Sequence, residues 1–249
     1  MNTPDSWPAP TDALPPGRDE VHVWRASLDQ SAFVVEQLRG TLAGDEKVRA
    51  GRFHFERDRV RYVVARGGLR AVLGRYLGVP PGRLRFDYSP YGKPSLAAEF
   101  GGGELDFNVS HSHSLALLAF ARGRALGVDV EHLRAGAADD RLAERFFSAN
   151  EVAALRALPA ARQTRAFFDC WTRKEAYVKA RGEGLSFPLA DFDVSLRPGE
   201  PAALLCVRGD EREAARWTLR ALDVAPNYAA ALVAEGRDWQ LKTWQWEAD

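Results

Sequence analysis

The stretch Gly127-Val128-Asp129-Val130-Glu131-His132-Leu133-Arg134, GVDVEHLR, sets two carboxylates two residues apart inside an apolar run. Apolar and β-branched residues in alternation with polar ones predict a strand. Side chains of a strand alternate between its faces, so Asp129 and Glu131 share one face and Val128 and Val130 the other. At the strand rise the two acids stand about 7 Å apart along the chain. Like charges held side by side cost free energy unless a positive group lies between them. A hard divalent cation such as Mg²⁺ meets that need. A solvated face, where both acids simply meet water, meets it equally from this stretch alone.

Working outward, the chain has 249 residues, enough for one large core or two smaller ones. Its 46% hydrophobic and 27% charged residues are those of an ordinary globular protein, and the net charge is zero, so global charge selects no partner. Charge distribution says more. From Lys47 to Arg85 basic residues are opposed only by Glu56 and Asp58, a pattern suited to a phosphorylated ligand or to nucleic acid. Cys170 and Cys206 form neither a disulfide framework nor a zinc pattern, and their apolar surroundings predict two buried thiols. The first twenty residues read as a flexible leader without signal-peptide character. No apolar run is long enough to span a bilayer, and a reduced, cytoplasmic protein is expected.

The periodicities predict an α+β protein of two similar halves, residues 21–125 and 126–236, followed by a Trp-rich acidic tail, 237–249. In the first half we expect a strand over Val21–Leu28, a helix over Ser31–Leu42 and a helical stretch over Asp45–Leu77 weakened at Gly67-Gly68. Strands over Leu84–Tyr88, Leu105–Val109 and Leu115–Ala121 complete it, with the turn DYSPYGKP between the first two. The second half repeats the order. It has the GVDVE strand, helices over Arg141–Phe147, Glu151–Leu158 and Gln163–Ala180, then strands over Phe192–Leu196, Ala203–Val207, Trp217–Leu222 and Tyr228–Val233.

The last of those helices carries a second cluster, WTRKEAYVKARG, with Trp171, Glu175 and Lys179 four apart on one stripe and Lys174 one position around. An exposed Glu-to-Lys pair would also produce this spacing. Alternatively, Glu175 is a third ligand for the cation beside Asp129 and Glu131, with Lys174 and Lys179 turned to phosphate oxygens.

Taken in order, Gly127-x-Asp129-x-Glu131, Trp171-x-x-Lys174-Glu175-Ala176-x-x-Lys179 and Gly182-x-Gly184-Leu185 resemble the 4′-phosphopantetheinyl transferases of the larger, surfactin-synthetase-activating type. Upstream, YGKP at Tyr91–Pro94, FNVSHS at Phe107–Ser112 and the basic RYVVARGGLR at Arg61–Arg70 resemble the same family, so the likeness runs from about residue 20 to about 235. The resemblance implies two halves, each a small, mostly antiparallel sheet packed with helices, related by pseudo-twofold symmetry in a monomer with its site between them. It implies Mg²⁺-dependent transfer of 4′-phosphopantetheine from coenzyme A to a serine of an acyl, polyketide or peptidyl carrier protein, with Mn²⁺ as a second possible ion. Adenosine 3′,5′-bisphosphate is the other product.

By the same resemblance Asp129, Glu131 and Glu175 hold the metal, Glu175 or a water it orients is the base, and Lys174 and Lys179 face the phosphates. Arg49, Arg57, Lys93, Ser110 and His111 contact coenzyme A, with Arg suited to phosphate by its planar fork. Glu151 follows Ser148 in a capping box, which explains it without catalysis, although the family has a recurrent acid there. His113 is read as structural or solvated. Arg173 and Arg181 are candidates for facing an acidic carrier protein. A metal-dependent protein that binds or cleaves nucleic acid with its Arg-rich helix is the alternative, and a coenzyme A-binding protein without catalysis is a third reading.

Overall fold

The computed structural model describes residues 7–9, 14–134, 136, 140–184 and 187–248. The described residues divide into two units, one comprising those of Arg124–Trp239 and the other those from Trp7 to Gly123 together with those from Gln240 to Ala248.

The first unit runs β1 (Glu20–Ser27), α1 (Ala32–Thr41), α2 (Gly44–Gly51), α3 (Glu56–Leu77), the hairpin β2 (Phe86–Tyr88) and β3 (Pro94–Leu96), then β4 (Leu105–Ser112) and β5 (Leu115–Arg122). The second runs β6 (Leu126–His132), α4 (Asp140–Phe146), α5 (Ala149–Arg156), α6 (Ala160–Arg181), the hairpin β7 (Phe192–Val194) and β8 (Leu204–Val207), a one-turn α7 (Glu213–Arg216), then β9 (Trp217–Ala221) and β10 (Tyr228–Glu235). Each unit folds its first, last and middle long strands into one antiparallel sheet, β1-β5-β4 and β6-β10-β9. Each carries one long helix, α3 or α6, of 22 residues. The α+β expectation and the repeated element order are both met.

Several elements differ from the sequence reading, three of them in ways that shape the core. The stretch 45–77 is two helices. Glu46 accepts the amide of Ala43 at 2.8 Å and starts α2, while α3 begins afresh at Glu56. Gly67-Gly68 does not weaken α3. A Cβ on Gly67 would stand 2.7 Å from the Cβ of Leu38, so the missing side chain is what lets α1 pack against α3. The third difference is the segment expected as a tail. Gln240–Trp246 forms β11, paired in parallel with β1 at the edge of the first sheet. Trp244 stacks on Trp24 with centroids 5.3 Å apart, and Trp246 is buried in the same core as Leu69, Leu73 and Phe120. The aromatic residues of this segment are core, which the Trp content signalled and the acidic end concealed.

Of the expected leader, residues 1–6 and 10–13 lie outside the described residues. Trp7 is buried beneath the guanidinium of Arg25, and the Pro8 carbonyl accepts the amide of Gln245 at 2.9 Å, so this part is held in place. Cys170 is buried as expected, but Cys206 on the outer strand of the β7-β8 hairpin is exposed. The hairpin register shifts between Asp193 and Val194, so alternation breaks and Leu205 and Cys206 are both exposed between buried Leu204 and Val207.

The Glu20 carboxylate clasps β11 to β1 through Lys242, with His22 and the Gly17 amide as further donors. The Lys242 hydrogen bond is the largest influence, and the group is held down at about 2 against an ordinary 4.5. A depressed carboxyl stabilises the fold above its unfolded value and loses that contribution as pH falls through the folded one. Glu20→Gln is therefore expected to lower the melting temperature at pH 6, with the difference from the parent shrinking as pH drops from about 4.5 towards 2. A difference independent of pH over that range would show that the carboxylate charge contributes nothing.

Candidate active site

The acid strand β6 sits at the edge of its sheet, with Asp129 opposite Ala231 and Glu131 opposite Ala229 on β10. The valine face is buried and the acid face is buried at Asp129 but half-buried at Glu131. Val128 and Val130 are 0% and 1% exposed on one side, and Asp129 is only 4% exposed on the other. The face with the acids is the one covered by α6. A Cβ on Gly127 would stand 2.1 Å from the Ala176 carbonyl and 2.4 Å from the Ala180 amide. Only glycine allows that approach, and it brings Glu175 and Lys179 to the strand acids.

The Lys179 ammonium meets Asp129 Oδ1 at 2.6 Å and the Val128 carbonyl at 3.4 Å. Glu175 lies close enough to both strand acids to feel them. Burial pushes its carboxyl up, Asp129 and Glu131 push it further, and Lys179 opposes them. Three carboxylates thus share one partly buried patch with one ammonium.

Among the described residues, no three His, Cys, Asp or Glu side chains stand in a ready-made metal cage. Lys179 lies against Asp129 in this arrangement. The donor set nevertheless suits a hard cation. It is all oxygen, and each strand acid raises the proton affinity of Glu175.

Lys174 does not join this patch. It is 0% exposed, and its ammonium donates to the carbonyls of Leu189 at 2.7 Å and Phe192 at 2.6 Å while pairing with Glu151 at 2.7 Å. The expectation that it faces a phosphate is corrected: one position around the helix from Glu175 is the side buried against the chain leading into β7. Glu151 is spent likewise, accepting the Ser148 amide at 2.8 Å in the expected capping box and the Val194 amide at 2.8 Å. Arg173, a candidate for the carrier surface, is buried and donates to the carbonyl and hydroxyl of Ser195. Arg181 ion-pairs with Glu183 and Glu213 and lies over the Phe187 ring. Gly182 ends α6 with φ 77°, and Leu185 of that motif lies outside the described residues.

In the first unit, β4 continues to Ser112, three residues past its expected end, so Ser110 and His111 fall on opposite faces. Ser110 is buried at 6%, and His111 is exposed. His111 lines a cleft of about 180 Å³ with Arg49, Arg66, Tyr88, Gly92 and Pro94. Arg49 and Tyr88 also border a neighbouring cleft of about 710 Å³ that adds Arg52. Lys93, between the two turn residues of the cleft, has its amide held by the Ser89 hydroxyl at 3.1 Å, and burial pushes its ammonium down. Arg57 is 69% exposed beside Asp58 and does not line the cleft. His113 takes the turn at φ 52° with its ring 3.2 Å from the Ser114 hydroxyl.

The sequence reading missed Arg66 and Tyr88, whose guanidinium and hydroxyl meet at 2.9 Å beside the cleft. The arginine stood inside RYVVARGGLR, but no spacing rule separates it from its neighbours. Several arginines of this segment are paired, Arg59 with Glu56, Arg61 with Asp29, and Arg66 and Arg70 with Glu46.

Two family models match the chain: the 4′-phosphopantetheinyl transferase superfamily over residues 125–233 and the 4′-phosphopantetheinyl transferase N-terminal model over residues 22–122. The 4′-phosphopantetheinyl transferase HetI of Nostoc sp. is 43% identical over 228 residues, 92% of this chain and 93% of its own length. The chain belongs to the 4′-phosphopantetheinyl transferase superfamily. The transferase Sfp of Bacillus subtilis is 30% identical over 161 residues, 65% of this chain and 69% of its own. A holo-(acyl-carrier-protein) synthase structure from Bacillus anthracis, in complex with CoA (3′,5′-ADP), superposes with a TM-score of 0.37 at 23% identity, covering 45% of this chain and 94% of that one. Membership bears out the expected class of enzyme, a transferase acting between coenzyme A and a carrier protein.

Gly127→Ala is expected to force α6 away from β6 and to destabilise the protein by about 1–3 kcal/mol or more, as overpacking against backbone does. Urea unfolding measures it. An unchanged midpoint would mean that the strand and helix are not in the contact described.

Proposed function

We propose that the acid patch of β6 and α6 is the catalytic centre at which the 4′-phosphopantetheine of coenzyme A passes to the hydroxyl of a carrier-protein serine. The single observation that carries this reading is the convergence of Asp129, Glu131 and Glu175 on one face, with Lys179 among them. A diphosphate brings negative charge to a site already rich in it, so a cation must accompany it. Asp129, Glu131 and Glu175 would hold Mg²⁺, or Mn²⁺ in its place. When bound, the ion would neutralise the diphosphate and make its phosphorus a better electrophile.

The chain's own groups do the rest. Lys179, 27% exposed at its side chain, is placed to turn from Asp129 to a phosphate oxygen once the acid has another counter-charge. Glu175, whose burial favours the protonated form, is placed to accept the proton that the serine loses. The serine oxygen forms the new bond to phosphorus, the diphosphate P–O bond breaks, and adenosine 3′,5′-bisphosphate leaves with the electron pair. Taken by itself, the cleft of the first unit has the chemistry to receive nucleotide phosphates. Arg49 and His111 supply donors for these phosphates, and the Gly92–Pro94 turn shapes the wall.

The enzyme works as a monomer in a reducing cytoplasm, where Cys170 and Cys206 remain thiols. Among the described residues no helix is long and apolar enough to cross a membrane.

A carrier protein incubated with the chain, coenzyme A and Mg²⁺ is expected to gain about 340 Da, the phosphopantetheinyl group of a phosphoryl-type transfer. Asp129→Asn should lower that transfer by at least about 100-fold with the fold intact, in line with the loss of one preorganised electrostatic group. Near-parental loading by the variant would remove the acid patch from the mechanism. Arg49→Ala is expected to raise KM for coenzyme A by about 10-fold with little change in kcat, the cost of one charged hydrogen bond made equally in ground and transition states. An unchanged KM would take the nucleotide out of this cleft.

A further inference from the structure

Among the contacts that hold helix α6, two lie beside the acid patch. One is the contact with β6 at Gly127. The other is the Glu151–Lys174 pair, which the reaction as derived does not use. Its members are 3% and 0% exposed, and every contact they make is to the protein's own frame. Lys174 ties α6 to the carbonyls of Leu189 and Phe192, and Glu151 ties α5 to the amides of Ser148 and Val194. The Lys174 ammonium also lies 4.1 Å from the centroid of the Phe192 ring.

The same device stands in the first unit. Glu46, 1% exposed, occupies the third position of α2 as Glu151 does of α5, and each accepts the backbone amide of its helix's N-cap residue. Its partner is Arg70, 0% exposed, with Nε at 2.7 Å. Arg70 follows Glu56, the first residue of α3, by the same fourteen positions that separate Lys174 from Ala160 in α6. Arg70 donates to the carbonyls of Pro81 at 2.8 Å and Leu84 at 3.1 Å and lies over Phe86, the first residue of β2, as Lys174 lies over the first residue of β7.

The acids, however, do not recur. Trp24 opposes the fourth residue of β5 as Asp129 opposes the fourth of β10, and Ala71 and Arg75 occupy the helix positions of Glu175 and Lys179. A pair that served the chemistry would have no reason to persist in the unit that lacks the acid patch. A pair that sets the rotation of the long helix would persist in both.

We propose that Glu151 and Lys174 are positioning residues: their buried pair fixes the rotation of α6 about its axis, and with it the direction of Glu175, while neither group touches coenzyme A or the acceptor serine. The inference rests on the reading of the acid patch as the catalytic centre.

The test is a cycle of Lys174→Met, Glu151→Gln and the double variant, read by melting temperature, Mn²⁺ affinity from electron paramagnetic resonance, and kcat and KM for coenzyme A. Removing one member strands the other as a buried, unmatched group, whereas removing both does not. Each single variant is expected to melt about 10 °C lower. Each should also bind Mn²⁺ about 10-fold more weakly and lose about 10-fold in kcat, with KM within about 3-fold of the parent. The double variant should recover all three to within about 3-fold of the parent, a coupling that only a cycle exposes.

A double variant that melts and binds Mn²⁺ like the parent but transfers at under about 1% of its rate would place one of these groups in the chemistry and overturn the proposal. So would single variants that bind Mn²⁺ as the parent does. Should Lys174→Met not fold, Lys174→Arg takes its place with the first unit's own solution. Parental Mn²⁺ affinity with lost kcat would again overturn the proposal, and retention of both supports it. A parent chain that binds Mn²⁺ yet loads no carrier would sink the functional reading alone, because melting and Mn²⁺ affinity still rank the variants.

Discussion

Everything at the acid patch depends on how near α6 comes to β6. The absent side chain of Gly127 lets the helix backbone settle directly on the strand, and Ala229 and Ala231 on the adjoining strand continue the low surface. At that separation Glu175 and Lys179 reach the two strand acids. One methyl group at residue 127 would hold the helix off, and the charges would interact through water instead of protein.

Closeness has an electrostatic cost, since three carboxylates and one ammonium are partly removed from water. Desolvation and mutual repulsion both favour the protonated form of Glu175, so the patch as folded tends to gain positive charge, whether as a proton or as a cation. The second unit tolerates that cost because the rest of α6 is firmly held, by an aromatic core of Phe167, Phe168 and Tyr177 and by the buried pair on its far side.

The two units show what a repeated chain path preserves and what it frees. Strand order, the long helix, the capped glutamate and its basic partner all recur. The surface between first strand and long helix does not. In the first unit it holds Trp24, hydrogen-bonded to Tyr76 at 2.7 Å and stacked on Trp244 of β11, an apolar solution where the second unit has acids. The first unit instead carries a cleft lined by Arg49 of α2, by Tyr62, Ala65, Arg66 and Leu69 of α3, by Tyr88, Gly92 and Pro94 of the hairpin, and by Val109 and His111 of β4.

Much of this was legible in the residues. Alternation in GVDVE put Asp129 and Glu131 on one face, four-residue spacing put Glu175 and Lys179 on one stripe, and the order of strands and helices followed from local pattern, because these are short-range periodicities that backbone geometry imposes. Spacing could not say which way a helix is turned. Lys174 and Glu175 are neighbours with the same apparent fitness for a phosphate or a metal, and only packing sends one into the protein and the other to the acids. The same holds for Ser110 and His111, parted by two faces of a strand longer than expected, and for the Trp-rich end, which is an edge strand because β1 lies beside it. Such outcomes are set by contacts between residues far apart in the chain, whose free energies depend on what is buried against what, and no local pattern carries that information.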